Sequence, residues 1–414
     1  MSNANDYYDD LETRDTEARE QSLFERLPIQ LENAKQKSSA FARSLAEIDA
    51  ATVTDRKALA KLPVLRKSEL VDLQRNTPPL GALNTTPMRQ LGRMFSSPGP
   101  IYEPEGKRND YWRMARALYA AGFRKGDLVH NSFAYHFTPG GWMLDSGARA
   151  LGCPVFPAGV GQTEQQVQAI NDLKPQAYTG TPSYLKILLD KGKELGQEVS
   201  SVTKALVSGE PLPASLRTEI NQLGVNIFQC YATADLGLIA YESEGMEGMI
   251  IDEEIIVEIV RPGTGDPVNE GDVGEVVVTT FNSDYPLIRF GAGDMSAVLA
   301  GESPCGRTNT RIKGWMGRAD QTTKVKGMFV HPGQVAGVIA RHPEVKKARL
   351  VVDREDVNDV MTLQCETDSP NDDLKSGIAD SIREICKVRG KVEFVGPGSL
   401  PNDGKVIDDI RVYE

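Results

Sequence analysis

The chain has no long run of lysine or arginine and no repeat of aromatic with basic residues, which argues against a nucleic-acid partner. It has no apolar run long enough to cross a bilayer. Its opening, Met1 to Glu20, is polar and acidic without a hydrophobic stretch, so neither a membrane anchor nor a secretory leader is expected. Cysteine is scarce. The five thiols, Cys153, Cys230, Cys305, Cys365 and Cys386, are scattered and odd in number. That pattern suits reduced thiols in a cytoplasm rather than a disulfide framework. There is no internal repeat and no low-complexity tract.

What remains is an ordinary globular composition, 40% hydrophobic and 25% charged. At 414 residues the chain suits one large domain with a smaller one. The net charge is −11, so an anionic ligand has to be held by local Lys/Arg, backbone N–H groups or a metal against the global field.

Helical spacing of Leu23, Leu27, Leu31, Ala34 and Phe41 makes residues 8–50 mostly helix, and Asp55 to Leu73 a second helical region broken at Leu62-Pro63. A helix is expected from Asp110 to about Ala121, and another from Thr163, read as its N-cap. Strands at 128–131, 177–180, 205–208 and 225–229 alternate with helices at 182–195 and 213–223, the signature of a parallel α/β sheet. Beyond Tyr231 the texture changes. Residues 250–260 and 274–281 alternate apolar and polar between Gly/Pro/Asn turns, as in an antiparallel sheet. From Gln321 mixed β and α segments return, with helices at 332–341 and 372–386.

Seven segments, in order, carry a resemblance: Lys61-Leu62-Pro63-Val64-Leu65-Arg66-Lys67; Phe95-Ser96-Ser97; Thr179 to Tyr184; Ser208-Gly209-Glu210-Pro211; Tyr285 to Asp294; Gly317-Arg318-Ala319-Asp320; and Gly404-Lys405. Together they resemble the phenylacetate-CoA ligase family, within the adenylate-forming superfamily of acyl-CoA synthetases. The resemblance implies an α/β fold: a large N-terminal domain, 1–318, of parallel α/β sheets plus an antiparallel β subdomain at about 236–317. A small mobile α+β C-terminal domain, 319–414, follows. It implies that ATP activates a carboxylic acid to an acyl-AMP and that CoA then takes the acyl group as a thioester. Two alternatives stay open: an adenylyltransferase with a non-CoA acceptor, and a non-catalytic relative that binds nucleotide or acyl groups.

By this resemblance Lys405 is the catalytic cation, because two anions must meet when a carboxylate attacks the α-phosphorus. Ser208, Gly209, Glu210 and Pro211 lie along the adenine, and Tyr231, Ala232 and Thr233 complete the nucleotide site. Asp294 accepts from both ribose hydroxyls, a task suited to a carboxylate. Arg318 belongs to the nucleotide site and, with Asp320, to the hinge; Asp320 is the pivot. Asp235 stands where the family has a Glu that reaches Mg²⁺, and Lys326-Gly327 where the thioester-forming face carries a basic residue and a Gly. Tyr135, His136, Phe137, Gly159 and Gly161 line the acyl pocket, which suits an aryl or other small apolar acid. The resemblance is also compatible with a homodimer, which nothing in the residues themselves requires.

Two departures bear on function. The family's phosphate loop, Ser-Ser-Gly-Thr-Thr-Gly-Lys-Pro, here reads Ser96-Ser97-Pro98-Gly99-Pro100-Ile101-Tyr102-Glu103-Pro104. Ser96 and Ser97 remain as donors, with Lys107 or Arg108 as cations that reach back. Both threonines and the lysine are gone, two prolines remove N–H donors, and Glu103 adds negative charge. Some members of the family carry a structural zinc; the places that correspond look like Ser243, Met249, Ser303 and Cys305, only one of them a thiol, so no zinc is expected.

Overall fold

Five apolar runs, Val155–Pro157, Val129–Asn131, Ala177–Gly180, Lys204–Val207 and Asn226–Thr233, lie side by side in that order as parallel strands. The computed structural model describes residues 7–97, 100–321, 323–325, 328–355, 358–401 and 405–411. It divides into two compact units, Met1–Ala292 with Ala297–Trp315, and Gly293–Ser296 with Met316–Glu414.

In the first unit the strand Ala177–Gly180 is buried at every residue, as expected for a sheet covered on both faces. The covering helices are Gly140–Ala150, Thr163–Leu173, Pro182–Leu195 and Ala214–Gln222. Strand order reverses between Val129–Asn131 and Ala177–Gly180. At such a switch the loops leaving the carboxyl ends part in opposite directions and open a crevice.

The antiparallel strands expected after Tyr231 divide between two sheets. Gly237–Tyr241, Met249–Ile251, Arg311–Ile312 and Val298–Leu299 extend the parallel sheet to nine strands. Ile255–Val260 and Gly274–Thr280 join Phe290–Ser296 and Leu65–Arg66 in a second sheet. The alternation in these strands predicted one wet face, yet every residue of both is buried. Ile255, Val257, Ile259, Val276 and Val278 form the apolar face and share a core with Leu23, Leu27 and Leu31 of the N-terminal helix Thr16–Lys37. The opposite face carries Glu258, Glu275 and Thr279, which meet the Arg289 side chain, Arg66 and the Arg289 N–H respectively. The polar residues caught inside are paired, as burial demands.

Arg289 is the largest of these. Its side chain is 2% exposed and forks onto Glu258, with both N···O distances 3.0 Å. Its remaining N–H groups reach the carbonyls of Ala60, Leu62 and Gly265 at 2.6–2.8 Å. One guanidinium thus ties the Pro63 segment and the 261–266 turn to the second sheet. It comes from the Tyr285–Asp294 segment, where a residue of this kind is easily mistaken for a ligand contact.

Two helix starts differ from expectation. Gln162, with φ +55°, caps the helix that begins at Thr163, and no side chain closes that end. The Thr163 hydroxyl instead lies 3.3 Å from Tyr184 Oη. The helix expected from Asp110 is Met114–Ala120. Asp110 sits ahead of it and accepts from the N–H groups of Met114 and Ala115, which occupies the terminal donors but leaves residues 110–113 outside the helix.

The second unit carries a four-stranded sheet in the order Lys391–Val395, Asn358–Glu366, Lys347–Glu355, Ile407–Asp409. Helices Pro332–Ile339 and Asp372–Cys386 supply Val335, Val338, Ile378 and Ile382 to its core. No helix among the described residues is long and apolar enough to cross a membrane, and all five cysteines are free and buried.

Replacing Arg289 with Met should cost about 3–5 kcal/mol in chemical unfolding, because Glu258 is left buried and unpaired. Adding Glu258→Met should recover most of that loss; a loss unchanged in the double variant would contradict this account.

Candidate active site

At the carboxyl end of Lys204–Val207 the chain turns through Ser208-Gly209-Glu210-Pro211. These four residues, with Tyr231 and Ala232 from the neighbouring strand, line a cavity of about 520 Å³. Gly209 has φ +84°, and a Cβ there would stand 3.6 Å from the Phe133 ring and 3.7 Å from Thr181 Cγ2. A side chain at this position would therefore be strained by its backbone conformation, while its Cβ would make ordinary contacts with both neighbours. The Ser208 hydroxyl donates to the Cys230 carbonyl at 2.9 Å, tying the turn to the next strand. The Glu210 carboxylate accepts from the Ser183 N–H at 2.7 Å, in the first turn of helix Pro182–Leu195. Its role is thus to cap that helix as well as to border the cavity. Arg217 and Glu242 also line the cavity, paired at 2.7 and 2.9 Å. Neither was singled out from sequence, and neither was Trp315, 47% exposed on its rim.

Strand Asn226–Thr233 runs four residues past its expected end, with a bulge between Tyr231 and Ala232. Thr233 is strand, and its hydroxyl accepts from the Leu236 N–H at 3.1 Å. The turn that follows carries Asp235, whose side chain is fully buried. One Asp235 oxygen is 2.6 Å from Lys67 Nζ. The other is buried without a hydrogen-bond partner among the described residues. Such an oxygen offers a hard cation one ligand, while no group of three or more His, Cys, Asp or Glu side chains among the described residues is placed to hold a metal ion by itself.

Beside it, the segment expected to stand in the place of the family's phosphate loop forms a hairpin of Arg93–Ser97 and Ile101–Glu105; Pro98 and Gly99 lie outside the described residues. Glu103 is 1% exposed. It accepts from the Ser97 N–H at 3.2 Å and from the Ser97 hydroxyl. Ser97 is therefore engaged by the very residue whose charge was expected to oppose phosphate. Burial pushes the Glu103 carboxyl up to about 7, and the nearby Asp235 charge adds to the effect against the pull of Ser97 and Lys67. The Ser96 N–H donates to the Phe137 carbonyl at 2.8 Å, joining this hairpin to the loop after Val129–Asn131. Arg108 donates to the Tyr111 carbonyl at 3.0 Å.

The residues expected to form the acyl pocket are dispersed. Tyr135 lines a separate cavity with Trp142, Asp145 and Arg149, and its hydroxyl donates to Asp145 at 3.1 Å while accepting from Asn131. His136 is exposed, and Phe137 is 77% exposed with φ +57°. Gly159 and Gly161 are held by Gln166, whose amide nitrogen donates to both carbonyls at 2.8 and 2.7 Å. The Gln166 oxygen receives the Ser132 hydroxyl and lies 2.8 Å from His130 Nε2. Gln166 positions two crevice loops at once. Its only trace in the sequence is a polar residue on the buried face of a helix.

In the second unit Asp294 and Arg318 pair at 3.3 Å and form an isolated bridge between their backbones. Asp320 lies in the 3₁₀ turn Ala319–Gln321. Gln321 next to it accepts from the Val406 N–H at 2.8 Å, so the segment bearing Lys405 is tied to the expected hinge. Lys405 Nζ is 2.9 Å from Asp408. Gly404, Lys326 and Gly327 lie outside the described residues.

Comparison with known proteins fits this arrangement. Residues 132–282 match the family described as AMP-binding enzyme, and residues 327–410 its C-terminal domain. A phenylacetate-coenzyme A ligase of Thermus thermophilus is 31% identical over 379 residues, 83% of this chain and 84% of that protein. The chain belongs to the phenylacetate-CoA ligase family. Its relative from Pseudomonas putida is 32% identical over 344 residues, 79% of this chain and 76% of that one. Among solved structures, an open conformation of a 2-hydroxyisobutyryl-CoA ligase superposes with a TM-score of 0.85 at 24% identity, covering 96% of this chain and 93% of that chain. A postadenylation state of the same ligase gives 0.79 at 23%, covering 99% and 93%. At these identities the likeness speaks for the fold.

Of the four residues set against the zinc place of some family members, Ser243, Ser303 and Cys305 meet around one sulfur. Ser243 and Ser303 hydroxyls lie 3.2 and 3.1 Å from Cys305 Sγ, and Arg307 approaches it at 3.6 Å. Met249, the fourth position, is buried in strand Met249–Ile251. Burial alone would raise the Cys305 thiol, but the hydrogen bonds from Ser243, Ser303 and Arg307 outweigh it and hold it below the ordinary value. A guanidinium and two hydroxyls thus stand around the lone sulfur.

Glu103 binds its proton more tightly folded than unfolded, so its contribution to stability is present below its unfolded pKa near 4.5 and is lost as pH rises through about 7. Glu103→Gln keeps the Ser97 contacts without that ionisation. It should raise stability at pH 8 by about 1–3 kcal/mol, and the gain should shrink towards zero as pH falls to 4. A gain independent of pH, measured by chemical unfolding across this range, would contradict the charge argument.

Proposed function

We propose that the chain activates a small carboxylic acid with ATP and passes the acyl group to CoA. A carboxylate oxygen attacks the α-phosphorus, the bond to the bridging oxygen breaks, and pyrophosphate leaves. The CoA thiol gives its proton to solvent, the resulting thiolate attacks the acyl carbon, and the acyl–phosphate oxygen bond breaks as AMP leaves. The cavity at Ser208–Pro211, walled by Tyr231 and opened by Gly209, carries the nucleotide part of this reading. Family membership over most of the chain supports the reaction. Exposed Phe137 and Val160 on loops leaving the parallel strands favour an apolar acid, aryl acids included.

The residue roles belong to the proposal. Tyr231 and Gly209 border the adenine, Asp294 takes the ribose, and Asp235 holds Mg²⁺. Lys405 brings positive charge to the phosphate and carboxylate once it leaves Asp408. An ammonium about 4 Å from a phosphate oxygen is worth roughly 4 kcal/mol at an effective dielectric near 20, part of it already spent in the ground state. The segment 318–321 would give the rotation that removes the lysine for the second step. A homodimer and a cytoplasmic setting complete the proposal.

Exchange of labelled pyrophosphate into ATP, dependent on added carboxylate, tests the first step. Release of AMP with thioester on adding CoA tests the second. Lys405→Ala should lower exchange by about 10²–10³ while the protein melts as the wild type does. No exchange with any of a panel of aryl and alkyl acids would overturn the activity, and an undiminished rate in Lys405→Ala would overturn the role of that lysine. Exchange without CoA-dependent AMP release would point to a different acceptor.

A further inference from the structure

Lys67 is given no role above, yet it occupies the most consequential position at the phosphate end of the site. It follows strand Leu65–Arg66, which is paired to Phe290–Gly291 in the second sheet, so its backbone is fixed. Its side chain, 24% exposed, reaches in to a carboxylate that is 0% exposed. Asp235 is thus neutralised from the solvent side by a cation on a flexible stem, while its other oxygen is buried with no hydrogen-bond partner among the described residues. The hairpin next to it has lost the loop lysine and both threonines, and Ser97 is committed to Glu103. A triphosphate arriving here would meet two carboxylates unless some cation moved. Lysine is suited to that movement: a compact charge on four methylenes binds phosphate as a point charge and can swing.

We propose that Lys67 is an exchangeable counter-ion. It holds Asp235 in the absence of nucleotide, and it turns onto the β- and γ-phosphates when a divalent cation shares Asp235. In this way Lys67 takes over the charge that the degenerate loop no longer supplies. The inference rests on the nucleotide reading given above, and its consequences are opposite in sign for metal and for nucleotide. Removing Lys67 uncovers Asp235 to metal but deprives the phosphates of a partner. A merely structural lysine would move both in the same direction or neither.

The test uses the full chain as Lys67→Met and Lys67→Arg. Mn²⁺ is titrated alone, followed by electron paramagnetic resonance. AMP, and an ATP analogue with a methylene between the α- and β-phosphates, are titrated by calorimetry with Mg²⁺ present. Lys67→Met should bind Mn²⁺ about three- to fivefold more tightly, the scale of losing a partly exposed ion pair as competitor. It should bind the analogue at least tenfold more weakly and AMP within twofold of the wild type. Lys67→Arg, which keeps a cation at Asp235, should bind Mn²⁺ within twofold of the wild type, and it carries the test if the methionine variant does not fold. Unchanged or weakened Mn²⁺ binding in Lys67→Met, tightened Mn²⁺ binding in Lys67→Arg, or equal weakening of AMP and the analogue would overturn the proposal. Failure of AMP to bind the wild type would instead remove the nucleotide reading on which it stands.

Discussion

The pairing of Lys67 with Asp235 is the contact around which the chemistry of the first unit has to be organised. The chain is acidic overall, and the corner proposed to receive triphosphate holds two buried carboxylates, Asp235 and Glu103. At close range such charges decide whether a polyanion enters, because a buried site is little screened by salt. One ammonium, hydrogen-bonded at 2.6 Å, offsets one carboxylate. Proton uptake, favoured by burial, quiets the other. Both adjustments lower the negative charge that the proposed nucleotide would meet at this hairpin.

The larger frame serves that corner. Reversal of strand order between Val129–Asn131 and Ala177–Gly180 opens the crevice. Gln166 then pins the loops on one side, and the Ser96 to Phe137 hydrogen bond joins the hairpin on the other. Gly209 keeps the wall bare where Phe133 and Thr181 come near. Arg289, deep in the second sheet, fixes the segment that leads to Leu65–Arg66 and hence the root of Lys67. Packing and chemistry are thereby linked through one short strand.

Much of this was legible in the sequence because it is periodic. Strand Ala177–Gly180 and helix Pro182–Leu195 carry their own apolar pattern, and Ser208–Pro211 announces a turn at a strand end. The long-range contacts carry no such pattern. Lys67 and Asp235 are 168 residues apart, and nothing local to either tells of the other. Glu103 was visible as an unwelcome charge, but its bond to Ser97 depends on hairpin register, which two prolines obscure. Thr163 was read as a cap because its side chain can do that work; Gln162 in a left-handed conformation precedes it instead. Strands 255–260 and 274–280 alternate as if half wet, but their polar face is met by Arg289 and Arg66 from distant segments of the chain.

The most direct measurement of the central claim is amide hydrogen exchange of the wild-type chain with and without the non-cleavable ATP analogue and Mg²⁺. Slower exchange in peptides spanning 206–212, 229–236 and 95–105, with little change across the helix Thr163–Leu173, is the result predicted. Binding that leaves those three peptides unprotected, or protection confined to other parts of the chain, would contradict the placement of the nucleotide and the charge balance built on it.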